Sequence, residues 1–490
     1  MVGLRDILSD VPNLYDRGMP VRLATDPTGR SSAAAQVIAP EDLVLLAHQF
    51  CRPYSKHDGE EIDARLPTSM ARMYLGWRGE WRLPPLNGIT SSPLLRDDGE
   101  IISGRGYDPQ TGMWQENVPE LTNRIPSQPT DQEAIDALGL IREAFKTFCF
   151  ADAKTVFDET QGVAVVDVNA PPGQDESGFL VALLTAICRP SLPLAPGMLF
   201  RSAPISGAGT GKGLLARCIS LVAFGREPHA VTSGARPEEL EKRIAAELMQ
   251  ANPFLFLDNL NNTAFRSNLL ASALTERPSR VRVLGRSHMV QLNASAFVVL
   301  TGNGLRVSED LARRFITVEL DAGMENPEFR PFPNNLKAEV AQRRADLLAA
   351  ALTIWRWGNK SRTFPAGRSF GSFETWSRWV RDPLFALGCS DPVERLNESK
   401  RFDAHRQAIA DLFAVWKEKH GDRPVPIRDL HEAVRNAADP YGRGRQFLVS
   451  YLSRLVGTRL NGFVLTRQEA SGRWCAASFA LARDARSARP

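Results

Sequence analysis

The stretch Pro204-Ile205-Ser206-Gly207-Ala208-Gly209-Thr210-Gly211-Lys212-Gly213-Leu214-Leu215 decides how this chain is read. It follows the apolar run Leu199–Ser202 and precedes a helical pattern ending near Gly225, which is the strand–loop–helix order of a phosphate-binding loop. Glycines at 207, 209 and 211 allow the tight curl that turns backbone amides inward. Lys212 would reach the β- and γ-phosphate oxygens of a nucleoside triphosphate, and the helix start offers its positive end. The candidate nucleotide-binding stretch is therefore Ser206, Gly207, Ala208, Gly209, Thr210, Gly211, Lys212, Gly213 and Leu214. Two positions depart from the usual pattern, which begins with Gly and closes on Lys followed by Ser or Thr. Ser206 stands at the first, and Gly213 replaces the hydroxyl that normally holds Mg²⁺. A Gly-rich turn also arises by chance, so the elements around it must decide.

Downstream, Phe254-Leu255-Phe256-Leu257-Asp258 is an apolar strand ending in an acid, 46 residues after Lys212. At the carboxyl end of a parallel strand Asp258 faces the ligand crevice and can hold Mg²⁺ directly or through water. A buried strand stopping at an Asp turn fits the same letters. Asn259 follows, where a Glu would activate water; an amide cannot accept a proton, which leaves the general base open. Phe297-Val298-Val299-Leu300-Thr301-Gly302-Asn303 is a third apolar strand, with an amide at its tip suited to orienting the attacking water. Finally Glu309-Asp310-Leu311-Ala312-Arg313-Arg314-Phe315 sets two guanidiniums before the strand Ile316–Leu320. Arginine suits the charge of a phosphoryl transition state because its planar fork is always cationic. A solvated arginine pair is common too; the order and spacing of all four elements carry the reading.

The 490 residues have length for about three domains, and apolar and charged fractions of 43% and 24% are those of an ordinary globular protein. Strands alternating with helices from residue 196 onwards predict an α/β core with a central parallel sheet. Five segments follow from composition and periodicity: an N-terminal α+β domain over 1–125, a helical segment over 126–195, the phosphate-loop core over 196–360, a connector over 361–400, and a compact domain over 401–485. In the first, Ile89–Leu95 and Glu100–Ser103 read as a hairpin about Asp97-Asp98-Gly99. In the second, Thr130-Asp131-Gln132-Glu133 is a capping-box start to a helix ending near Phe148. Leu336 to Trp357 reads as one long helix, and the connector holds the aromatic anchors Phe370, Phe373, Trp376 and Trp379.

Six scattered cysteines without a CxxC pair argue for reduced thiols in a cytosol and against a zinc site. The N-terminal residues MVGLRDILSD lack the apolar core of a signal peptide, and no apolar run approaches a membrane span. A net charge of +4 permits nucleic acid as a partner without requiring it. The first 195 residues contain neither an acidic primase triad nor zinc ligands, so primer synthesis would belong to a separate chain.

Residues 196 to about 360 resemble the AAA+ ATPase core of superfamily III and related minichromosome-maintenance-like helicases. The nearest likeness is to primase/helicase-type replication proteins of prophages, plasmids and integrated islands. The segments that carry it are SGAGTGKGLLA, FLFLDN, RVRVLGRSHMVQLNASAFVVLTGN and VSEDLARRFITVELD. The likeness extends to LNGITSSPLLRDDGEIISGRGYDPQTG and to the C-terminal domain. It implies ATP and Mg²⁺ as cofactors, Lys212 as the Walker A lysine, Asp258 as the Walker B acid and metal ligand, and Asn303 as sensor 1. It also implies Arg313 or Arg314 as a finger acting on the neighbouring subunit, hence a homo-oligomeric ring, a hexamer.

Between the second and third strands, Arg280-Val281-Arg282-Val283-Leu284-Gly285-Arg286-Ser287-His288-Met289-Val290-Gln291-Leu292 reads as a short hairpin. In the resembled family such a hairpin grips the DNA backbone inside the ring, which makes Arg282, Arg286 and His288 the candidate contacts. After residue 400 Lys and Arg exceed Asp and Glu by about seven. Helices near His405–His420, Ile427–Asn436 and Gly444–Val456, then strands Phe463–Arg467 and Trp474–Leu481, look like a winged helix. Arg443, Arg445 and Arg454 lie on or beside its recognition helix. Winged helices dock proteins as well as DNA, and both remain open. The expected function is an ATP-dependent, ring-forming helicase acting on single-stranded or forked DNA in replication of a mobile genetic element. The alternative, which Gly213 and Asn259 favour, is an ATP-gated DNA-binding or loading ring with weak hydrolysis and little unwinding.

Overall fold

The computed structural model describes residues 2–24, 33–159, 162–202, 208–232, 237–260, 264–282, 289–330, 332, 334–359, 370–395, 404–440, 442–468 and 478–483. The chain divides into two compact units, Met1–Leu396 and Asn397–Pro490. Among the described residues no helix is long and apolar enough to cross a membrane.

The first unit is organised by a five-stranded, all-parallel sheet: β1 (Gly197–Ser202), β2 (Ala230–Thr232), β3 (Phe254–Asp258), β4 (Phe297–Asn303) and β5 (Phe315–Glu319), in the spatial order β2-β3-β4-β1-β5. Because side chains alternate along a strand, each one feeds two cores. Phe200, Phe254, Phe256, Phe297, Val299, Ile316 and Val318 point to one face. Leu199, Leu255, Leu257, Val298, Leu300 and Phe315 point to the other.

Among the helices packed around this sheet are α1 (Asp131–Phe145), α2 (Gln174–Cys188), α3 (Lys212–Phe224), α4 (Pro237–Met249), α5 (Leu336–Gln342) and α6 (Arg344–Asn359). The expected capping box opens α1: Thr130 Oγ1 accepts from the Glu133 amide, and the Glu133 carboxylate accepts from the Thr130 amide. Every residue of α2 from Asp175 to Cys188 is buried, so it is a core helix without an outer face. The long helix expected over Leu336–Trp357 is broken at Arg343. There Arg344 turns back and donates to the carbonyls of Val222 and Ala223 near the carboxyl end of α3, and to those of Ser91 and Asn117. The connector aromatics Phe370, Phe373, Trp376 and Trp379 are all core residues, and the Trp376 indole donates to Thr185 Oγ1 on α2.

The other face carries the N-terminal segment, which shares its core with the sheet. Arg17, 3% exposed, donates to the carbonyls of Leu248 and Met249 at the end of α4 and to those of Leu86 and Asn87. Burial lowers its pKa to about 10. In the expected hairpin, Leu94–Leu95 does pair with Ile101–Ile102 about the Asp97–Gly99 turn. Gly88–Thr90, by contrast, joins Met113–Gln115 in a separate three-stranded sheet.

The second unit has helices Ala404–His420, Glu432–Ala438 and Arg445–Leu455. Its four-stranded antiparallel sheet consists of Val425–Pro426, Ser478–Arg483, Phe463–Gln468 and Arg459–Leu460, in that spatial order. Trp416, Leu452 and Phe479 lie at the centre of its core.

Candidate nucleotide site

The carboxyl ends of β1, β3 and β4 meet at one edge of the sheet, where ligands of open parallel sheets bind. Ser206 and Gly207 lie outside the described residues. Beyond them the loop turns twice through the left-handed region, at Gly209 (φ 75°) and Gly211 (φ 94°). A Cβ on Gly209 would fall 2.7 Å from the Glu328 backbone nitrogen, so glycine is required there for space as well as conformation. Gly211 caps α3 without a side chain to satisfy the first amides, which leaves them for an anion.

Lys212, the first residue of α3, donates from Nζ to Ser202 Oγ (2.6 Å) and to Thr210 Oγ1 (3.0 Å). Ser202 Oγ donates in turn to Asn303 Oδ1 (3.0 Å), because β1 and β4 pair in a register that sets Ser202 opposite Asn303. Burial lowers the Lys212 ammonium to a pKa of about 8, against the opposing pull of Cys149 and Asp258. On the other side of β4, Thr301 Oγ1 donates to Asp258 Oδ1 (2.5 Å) and accepts from the Asn259 amide (3.2 Å). Asn259 sits at φ 62°, a left-handed turn that carries the chain away directly after the acid. Lys212, Asp258 and Asn303, expected from the sequence, are therefore brought together, with Ser202 and Thr301 as the hydroxyls that link them.

A cavity of about 420 Å³ opens beside Gly209, Thr210, Gly211 and Leu214, with Phe148 and Phe332 in its wall. Its volume suits a nucleoside next to the phosphate loop.

Gly213 faces Asp258: a Cβ there would stand 3.7 Å from both carboxylate oxygens. A hydroxyl at 213 would thus share a ligand with Asp258, as the usual pattern requires. That space is held by Arg217, one helical turn on. Its Nη1 would be 2.7 Å from the same Cβ and donates to the Gly213 carbonyl (3.0 Å), while its Nη2 lies 3.5 Å from Asp258 Oδ2. Among the described residues the carboxylate facing position 213 is Asp258, already beside a cation, and these residues do not build the expected metal position. Among the described residues no group of three metal-ligating side chains occurs.

Arg313 and Arg314 lie at the opposite end of the sheet. The Gly197 amide, at the start of β1, donates to the Arg314 carbonyl. The length of β1, roughly 15 Å, therefore separates the pair from the phosphate loop. Arg313 is 62% exposed and pairs with Asp310; Arg314 is 16% exposed and is held by the same acid and by the Asp310 carbonyl. Of the two, Arg313 is the one presented to solvent.

The expected hairpin pairs Ser279–Arg282 with Met289–Leu292. Arg282 is exposed at its last described pair, and Arg286 and His288 lie outside the described residues. In the second unit Arg445 and Arg454 are exposed on their helix. Arg443 is held by Asp439 and by the Phe447 ring, 3.5 Å from its centroid. Arg217, Ser202 and Thr301 escaped the sequence reading. The one available signal was an arginine placed four residues after the glycine that replaces a hydroxyl.

No family model and no curated protein matches the chain. Among solved structures it is similar to the C-terminal region of NrS-1, at 12% identity over 96% of each chain and a TM-score of 0.37. It is also similar to the SCCmec type IV Cch helicase, at 11% identity over 97% of this chain and 98% of that one, TM-score 0.32. A third likeness is to the JCV helicase, at 10% identity over 58% of this chain and 71% of that one, TM-score 0.20. All three are distant, and what the site can do is argued from its own residues.

Proposed function

We propose that the chain is an ATP-hydrolysing, ring-forming motor that acts on single-stranded or forked DNA as a helicase in replication of a mobile element. The observation that carries this reading is the Lys212–Ser202–Asn303 hydrogen-bond chain beside Asp258, at the carboxyl ends of three adjacent parallel strands. In ligand-free protein the lysine is held by two hydroxyls. An arriving triphosphate replaces them with phosphate oxygens, which are stronger acceptors. Ser202 then loses its lysine partner but still donates to Asn303 Oδ1, which holds the Asn303 amide at the strand tip to orient water at the γ-phosphorus. Attack forms the new P–O bond on the side opposite the departing ADP oxygen, with Lys212 neutralising charge on the phosphoryl oxygens. Arg313 lies too far along the sheet to serve this nucleotide and is exposed, so it acts on a nucleotide held by a neighbouring copy in a hexamer. The 279–292 hairpin and the second unit supply the DNA contacts, through Arg282 and through Arg445 and Arg454.

A second reading is an ATP-gated loading ring with weak hydrolysis. Asn259 in place of a base and Arg217 against Asp258 favour it. Steady-state ATP hydrolysis with and without single-stranded DNA, beside strand separation on a forked duplex, distinguishes them. The motor reading expects DNA-stimulated hydrolysis coupled to unwinding; DNA binding with neither defeats it and leaves the loading ring.

A further inference from the structure

Arg217 is held on four sides. Nη1 donates to the Gly213 carbonyl at 3.0 Å, Nη2 lies 3.5 Å from Asp258, Nε lies 3.5 Å from Glu227, and the guanidinium carbon sits 5.2 Å above the Phe256 ring. The side chain is 29% exposed, so part of it reaches the surface beside Asp258. Two carboxylates and a ring face therefore fix one permanent positive charge where a phosphate-loop protein places its divalent ion. Gly213 is what makes room, since any Cβ at 213 would press on Nη1. Positions 213 and 217 lie one turn apart on the same face of α3, so the missing hydroxyl and the added arginine form a matched pair.

From this geometry we propose that Arg217 is the resident cation of the nucleotide site, so that the chain binds ATP with little dependence on divalent metal. The proposal rests on the nucleotide reading above and deepens it. A guanidinium can present two parallel donors to phosphate oxygens while staying within its acidic cage. The cage offsets the cost of desolvating that charge before the nucleotide arrives.

The test is the affinity of the full chain for a fluorescent ATP analogue in excess Mg²⁺ and in excess EDTA. For the unaltered protein the two affinities are expected to agree within about threefold, the scale of an unshared exposed ionic contact. Arg217→Met is expected to weaken binding in EDTA by about tenfold or more, the loss of a charge-assisted bond, and much less in Mg²⁺. Arg217→Lys, which keeps the charge, is expected to fall between them. The double variant Gly213→Thr with Arg217→Met restores a hydroxyl beside Asp258 and is expected to be the most dependent on Mg²⁺. Thermal melting identifies any variant that does not fold, and the unaltered protein alone still decides the main point. If its binding collapses in EDTA, or if Arg217→Met changes both affinities equally, the resident-cation proposal is overturned and the nucleotide site stands. If it binds no nucleotide under either condition, the reading of the site itself fails.

Discussion

Two guanidiniums mark the two ends of one parallel sheet, and under the proposed function they differ in whose nucleotide they serve. Arg217 sits at the carboxyl end, caged by Asp258, Glu227 and Phe256. Arg313 sits before β5, at the amino end, paired with Asp310 and open to solvent. Under the proposed function strand direction assigns the roles: the cation at the carboxyl end serves its own chain's site, and the one at the amino end serves a neighbouring copy's. Bulk charge says little about either.

The largest effect expected is from Lys212→Ala, which removes what both arginines act upon. Hydrolysis should fall by about a thousandfold or more, the scale of losing a preorganised cationic donor, and a coupled phosphate-release assay reads it. If hydrolysis is unchanged, the crevice is not the site and the comparison collapses. Arg313→Ala should lower turnover by at least about a hundredfold while analogue affinity stays within about twofold. The sharper form mixes Arg313→Ala with Lys212→Ala subunits. Interfaces that pair an intact lysine with an intact arginine should regain hydrolysis, and no recovery at any ratio would refute action between copies.

A smaller effect follows pH. In the ligand-free protein burial lowers Lys212 to about 8, so an anionic phosphate must be met by proton uptake above that value. Affinity for the analogue should fall about eightfold between pH 7.5 and 9, and calorimetry in buffers of different ionisation enthalpy should show the proton taken up. The sign for folding runs the other way. The unfolded chain keeps this proton up to about 10.5, so between about 8 and 10.5 it binds more protons than the folded protein. Across that window this group makes the ligand-free protein more stable as pH rises. Smallest of all, Glu227→Gln should loosen one side of the Arg217 cage and cost about twofold in affinity in EDTA, as a partly exposed ion pair does.

What could be read from the letters was what depends on neighbours in sequence. Lys212 follows its glycines, Asp258 and Asn303 end their own apolar runs, and Thr130 meets Glu133 three residues on. What could not be read depends on strand order and register. Ser202 matters only because β1 lies against β4, Thr301 only because β4 separates β1 from β3. The distance of Arg313 from the phosphate loop follows from β5 running parallel to β1. The expected helix over Leu336–Trp357 fails for a similar reason. Its periodicity is intact, but Arg344 is drawn to carbonyls on α3 and the N-terminal segment, contacts that no local pattern contains. Arg217 is the intermediate case: its partner Gly213 is local, while Asp258 and Glu227 are not.

The buried Arg17 has a practical consequence for anyone who trims this protein. It binds four carbonyls from two distant stretches, two of them at the end of α4. Shortening the chain past residue 17 would remove a donor from each. Asn87 and Leu248 would keep a second one while the carbonyls of Leu86 and Met249 would lose theirs, at a penalty of about 1 to 3 kcal/mol each. The opening residues thus serve as a rivet to the parallel-sheet layer, and a shortened fragment has to be cut around them, not between them and the sheet.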